Sequence, residues 1–160
     1  MHPVPSPSGR LPRIFVDADG CPVKEETFRV ARRHGLLVIV VANSAMRIPG
    51  DEGIDLVVVG AQPDAADDWI VGQVRPDDIV VTGDTPLAAR CLEGGARAIT
   101  PRGRVFTEDS IGDALARREI AAFLRDLGNI TQGPAPFQKR DRSQFVHHLH
   151  ELIQAVLRGR

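Results

Sequence analysis

Tyrosine is absent from this chain of 160 residues, and six Phe with one Trp leave aromatics at 4%. Stacking of nucleobases on an aromatic sheet face is therefore not expected. Two cysteines, Cys21 and Cys91, are too few for a disulfide scaffold or a cysteine-rich zinc site. No apolar run reaches the roughly 20 residues that span a bilayer, so no membrane association is expected. The net charge is only −1, which singles out no polyanionic partner. Residues 1–12 contain four prolines and no apolar stretch. They read as a flexible tail, not a signal peptide, with the cytoplasm as default location.

What the chain does contain is 42% hydrophobic and 26% charged residues, the balance of an ordinary soluble globular protein. Residues 13–160 suffice for a single domain with its own core. Acids outnumber bases in residues 1–80, and bases outnumber acids in 81–160. One half is suited to cations and the other to phosphates.

Strand and helix patterns alternate. Arg13-Ile-Phe-Val-Asp17 is a short apolar run ending in an acid. Pro22 can open a helix to His34, with Gly35 as its stop; Phe28, Val30 and Ala31 form its apolar face, and Lys24, Glu25, Glu26, Arg32 and Arg33 its solvated one. Leu36 to Ala42 has the β-branched character of a strand buried on both faces. A polar loop over 43–53 leads to a strand at 54–59, a helix at 64–74, a strand at 78–82, a helix at 86–92 ended by Gly94-Gly95, and a strand at 97–100. This order predicts an α/β fold: a three-layer parallel sheet of about five strands with helices on both faces. Beyond it, residues 107–126 read as a helix with Ile111, Leu115, Ile120, Phe123 and Leu124 toward the core. A Gly/Pro loop over 128–137 precedes a last helix over 138–157, with Phe145, Leu149, Leu152 and Val156 at helical spacing. Both C-terminal helices are expected to pack on the domain.

Open parallel sheets bind ligands beyond the carboxyl ends of their strands. Asp17 closes the first strand and Asp19 follows it. Asp64, Asp67 and Asp68 open the helix after the third strand, at a spacing that puts them on one helical face. Asp84 lies just past the fourth strand. Helix capping alone can account for acids in a first turn. Gathered on one rim, however, they repel one another and raise each other's pKa, and a divalent cation relieves that cost. An all-oxygen donor set suits Mg²⁺ or Mn²⁺ rather than zinc. His34 ends a helix, and His147, His148 and His150 read as solvated. Hard ions in such a setting serve phosphate chemistry. Arg102 and Arg104 follow the fifth strand, and Lys139, Arg140 and Arg142 open the last helix; each group is suited to a phosphodiester backbone.

Single residues add less. Cys21 precedes Pro22 at a helix start, a position that can lower a thiol pKa, but no nearby His serves as its base; packing is the favoured reading. Trp69 reads as core rather than as a substrate platform. Asn43, ending the second strand, is either a turn residue or a contact to substrate or metal-bound water.

The segments Val16-Asp-Ala-Asp-Gly-Cys-Pro-Val23, Val41-Ala-Asn43, Asp64-Ala-Ala-Asp-Asp-Trp-Ile70, Thr82-Gly-Asp-Thr-Pro-Leu-Ala88, Pro101-Arg-Gly103 and Arg140-Asp-Arg-Ser-Gln-Phe145 together resemble the bacterial YaiI/YqxD family. The resemblance covers nearly all of residues 13–155. Gly20 stands where the family usually has Ala, and Thr131-Gln-Gly-Pro134 where Thr-Gly-Gly-Pro is usual. That family in turn looks like a branch of the PIN-like nuclease fold. The resemblance places Asp17, Asp67 and Asp84 at the PIN metal positions. The early helix acid of PIN nucleases has no counterpart, since no acid lies between Glu26 and Asp51; Asn43 or Asp19 is the candidate substitute. It implies an Mg²⁺- or Mn²⁺-dependent ribonuclease or phosphodiesterase, with Asp19, Asp64 and Asp68 completing the ion's surroundings and Arg102 steadying RNA.

Two other readings compete. Val-Asp-Ala-Asp-Gly also resembles the nucleophile motif of haloacid-dehalogenase-like phosphatases, with Asp17 as nucleophile, Asp19 as general acid and Thr82 in the second motif. That family needs a lysine deeper in the chain and a second acid just after Asp84; Lys24 and Lys139 are the only lysines, and the acid is missing. A non-catalytic RNA- or nucleotide-binding protein is the third reading.

Overall fold

Strands form where β-branched residues run together. These are β1 (Ile14–Asp17), β2 (Val38–Ala42), β3 (Ile54–Val58), β4 (Ile79–Val81) and β5 (Arg97–Ile99). A computed structural model describes residues 10–129 and 135–159. Most of the expected tail, residues 1–9, and Thr131-Gln-Gly-Pro134 lie outside the described residues. A sixth strand, β6 (Val105–Phe106), joins the sheet, which has the order β3-β2-β1-β4-β5-β6. The first five strands run parallel, and β6 pairs antiparallel with β5, Ala98 opposite Phe106. Two residues are too few to show a strand period, so β6 leaves no signal in the sequence.

The helices are α1 (Lys24–His34), α2 (Ala65–Gln73), α3 (Thr85–Glu93), α4 (Glu108–Asp126) and α5 (Lys139–Leu157). Side chains alternate across β1. Ile14 and Val16 enter a core with Phe28 of α1 and Phe145, Leu149 and Ile153 of α5. Phe15 enters the opposite core with Ile70 of α2 and Leu87 of α3. The predicted three layers are therefore present. Gly35 ends α1 in the left-handed conformation at φ 67°, with its N–H on the Arg32 carbonyl.

Two expectations are corrected. Helix α4 has no buried residue. Its first half, through Ile111 and Ala114, packs against Ala88, Ala98 and Phe106. Its second half leaves Ile120, Phe123 and Leu124 exposed, so these three are not core. The apolar positions do recur at helical spacing, but among the described residues that face stays exposed. Glu26, expected in solvent, is buried: Arg142 of α5 pairs with it at 2.8 Å and also donates to the Pro22 carbonyl. An ion partner distant in sequence makes that burial tolerable.

The turn between β5 and β6 is pressed onto α5. At Gly103, with φ +90°, an added Cβ would lie 2.8 Å from the backbone of Gln144 and Phe145. Only glycine fits there.

Candidate functional site

The strand order reverses direction between β1 and β4, so a crevice opens beyond their carboxyl ends. Asp17 is the last residue of β1 and Thr82 follows β4. The buried Thr82 hydroxyl donates to Asp17 Oδ2 at 3.0 Å and accepts the Asp84 N–H at 3.0 Å. Asp84 Oδ1 accepts the Leu87 N–H at 3.1 Å and so caps α3. A relay of short bonds thus fixes Asp17 and Asp84 relative to each other.

Asp67 reaches the same place from α2. Burial first, then the charges of Asp84, Asp17 and Asp64, push its carboxyl up to about 6. The Asp17 carboxyl is also raised, by burial above all and by Asp84 and Asp19, against the opposing hydrogen bonds from Thr82 and the Asp19 N–H. Three segments therefore bring mutually repelling acids together.

The other acids divide. Asp19 lines a cavity of about 320 Å³ with Asp17, Asp84, Cys21, Pro101 and Arg118. Asp67 does not line that cavity, although the charges of Asp17 and Asp84 reach it. Asp64 precedes α2 at φ 67°, and its carboxylate caps nothing, so the capping explanation does not hold for it. Asp68 is exposed and pairs with Arg90 at 2.9 Å. Among the described residues, the trio of His, Cys, Asp or Glu whose ligand atoms all lie within 4.8 Å is His147, His148 and Glu151. The rim acids form no such trio.

A larger cavity of about 990 Å³ adjoins the acidic one, sharing Gly20, Gly83 and Pro101 with it. Arg102, Arg104, Phe137 and His148 lie on its wall. Arg102 is partly committed: it pairs with Asp141 at 3.0 Å, donates to the Ala135 carbonyl and lies 5.7 Å from the Phe137 ring. Arg142 is held by Glu26, the Pro22 carbonyl and Phe137. Arg104 is exposed on the cavity wall, and Lys139 and Arg140 are exposed at the start of α5. Asn43 lies on neither cavity wall; its side-chain amide donates to the Gly60 carbonyl at 3.2 Å.

Sequence reasoning passed over Arg118 and His148. Arg118 follows Ile111 and Ala114 on the face of α4 that meets the body; a charge interrupting that stripe was the available signal. His148 is not merely solvated: its Nδ1 donates to the Gly103 carbonyl at 2.7 Å. His150 bonds His34 at 2.8 Å. Cys21 departs from the depressed thiol considered above. Burial raises its pKa, and burial likewise pushes Cys91 up to about 12. Trp69 packs against Phe15 with ring centres 6.2 Å apart.

The family model described as "Uncharacterized BCR, YaiI/YqxD family" matches residues 15–155. The chain belongs to the YaiI/YqxD family. The UPF0178 protein of Rhodospirillum rubrum is 51% identical over 148 residues, covering 92% of this chain and 99% of that one. The UPF0178 protein of Parvibaculum lavamentivorans is 52% identical over 148 residues, covering 92% and 97%. That of Caulobacter vibrioides is 51% identical over 146 residues, covering 91% and 95%. No solved structure matches. The matched span of the YaiI/YqxD protein takes in every rim acid, both cavities and Arg118. Among its described residues, no helix is long and apolar enough to cross a membrane.

Proposed function

We propose that this YaiI/YqxD protein is a Mg²⁺- or Mn²⁺-dependent phosphodiesterase acting on RNA, built on a PIN-like scaffold. The observation that carries the reading is the convergence of Asp17, Asp67 and Asp84, from three separate segments, on the crevice where the strand order reverses. Carboxylates whose pKa is raised by burial and by one another favour a cation in their midst. The donors are all oxygen, which fits a hard divalent ion. Such an ion would neutralise nonbridging phosphate oxygens and make a water a better nucleophile.

The protein's own groups do the rest. Asp17 and Asp84, locked through Thr82, present oxygens at a fixed separation. Asp67 adds a third charge from α2, and Asp19 and Asp64 enlarge the negative field. Arg104 and the exposed part of Arg102 offer charge-assisted bonds to a backbone lying in the larger cavity. With so few aromatics, contact runs through phosphate and sugar, so little sequence preference is expected.

The double variant Asp17→Asn, Asp84→Asn tests the reading. A labelled single-stranded RNA should be cut by the parent in Mn²⁺ and spared in EDTA, and the variant should fail to cut while keeping the parent's circular dichroism. Manganese electron paramagnetic resonance should show the ion bound by the parent only. A variant that cuts as fast as the parent sinks the mechanism.

A further inference from the structure

Helix α4 meets the body of the protein through one stripe. Ile111 and Ala114 pack against Ala88, Ala98 and Phe106. Arg118 continues that stripe at the next turn, seven residues beyond Ile111 and four beyond Ala114. There it lines the same cavity as Asp17, Asp19 and Asp84. An arginine placed as a structural counter-ion should be in contact with a carboxylate. Several arginines of this chain are so placed: Arg13 with Asp78 at 2.8 Å, Arg90 with Asp68 at 2.9 Å, Arg142 with Glu26 at 2.8 Å. Arg118 lines one cavity with three carboxylates, yet among the described residues it makes no ion pair and no hydrogen bond. Arg118 is exposed on that wall, and its guanidinium is left available.

We infer that Arg118 binds the substrate phosphate at the acidic site, as a cationic partner beside the carboxylates. The inference rests on the phosphodiesterase reading above. A phosphate brought to that cavity carries charge of the same sign as Asp17, Asp19 and Asp84. It therefore needs positive groups on more than one side. The planar guanidinium offers paired N–H donors that match two phosphate oxygens. Arg102 and Arg142 do not fill this place, because each is already engaged by an acid and a backbone carbonyl. Because α4 buries no residue, the arginine's support is a helix clamped at one end, and its substitution should leave the core untouched.

The test compares the parent with Arg118→Ala and Arg118→Lys. Binding of a fluorescein-labelled oligouridylate of about a dozen nucleotides is read by anisotropy in Ca²⁺, alongside Mn²⁺ binding by paramagnetic resonance and the thermal midpoint. Arg118→Ala should weaken oligonucleotide binding about tenfold or more, bind Mn²⁺ no more weakly than the parent, and melt at the parent's temperature. Arg118→Lys should recover only part of the loss, since it restores charge without the paired donors. Oligonucleotide binding equal to the parent's, with Mn²⁺ still bound, overturns the role of Arg118 and leaves the phosphodiesterase reading standing. A lower melting temperature with unchanged oligonucleotide binding assigns Arg118 to the structure and also overturns it. A parent that binds neither Mn²⁺ nor the oligonucleotide overturns both.

Discussion

Burial and the charges of Asp84, Asp17 and Asp64 push the Asp67 carboxyl up to about 6. An unfolded aspartate titrates near 3.8, the reference value for this group. Between these two values the native protein holds more protons than the unfolded chain, so stability falls as pH rises through the window. Above about pH 6 the full cost of the ionised carboxylate is present. Asp67→Asn removes it. In EDTA the variant should therefore melt above the parent at pH 7–8, with the difference shrinking toward zero as pH falls to about 4. Melting curves across this range decide the matter; a difference independent of pH would mean that repulsion is not the cause. The same residue illustrates a limit of spacing arguments. Asp64, Asp67 and Asp68 share a helical face by sequence position. Yet Asp68 pairs with Arg90, and Asp64 stands in a left-handed turn with no capping bond. What each acid does depended on neighbours more than 20 residues away for Asp68, and on backbone conformation for Asp64.

The two C-terminal helices show how similar patterns come to different ends. Both α4 and α5 run for 19 residues, and both carry apolar positions at helical spacing. The α5 positions Phe145, Leu149, Leu152 and Val156 are buried, because α1 and the β1 face lie opposite. The distal α4 positions stay exposed among the described residues. Phe145→Ala should accordingly cost about 3–5 kcal/mol in urea unfolding, as for a fully buried Phe. Phe123→Ser, at a side chain 62% exposed, should change stability by no more than about 0.5 kcal/mol. A large loss at Phe123 would show that the distal half of α4 is packed. The short β6 has a comparable lesson: the basic turn at 101–104 was legible as a loop, but its closure as a hairpin on α5 was not. Gly103 is required there because a second backbone comes within Cβ contact, and nothing local announces such an approach.

At the scale of the whole molecule, an ion held as proposed in the acidic crevice would couple binding to folding. An ion that binds the native state alone stabilises it by an amount that grows with concentration, about 2.7 kcal/mol at a hundred times its dissociation constant. Mn²⁺ should therefore raise the melting temperature above about pH 6, where Asp67 is ionised, and lose that effect toward pH 4–5 as protons compete. The variant Asp17→Asn, Asp84→Asn should show no such rise at either pH. An equal rise in the variant would place the ion elsewhere, with His147, His148 and Glu151 as the first alternative. The acidic half and the basic half of the chain also meet here: the acidic cavity and the larger one carrying Arg102 and Arg104 share a wall.

Taken alone, the sequence determined the alternation of strands and helices, their order and most of their limits, because these follow from local periodicity, β-branched runs and helix-stopping glycines. It also determined which acids fall at the carboxyl ends of strands, since that is a matter of position along the chain. Tertiary structure alone decided which of those acids meet, that Thr82 would lock Asp17 to Asp84, that Glu26 would be buried against Arg142, and that Arg118 would line the cavity of the carboxylates. Each of these depends on segments far apart in the chain coming into contact, and a contact of that kind has no period to be read.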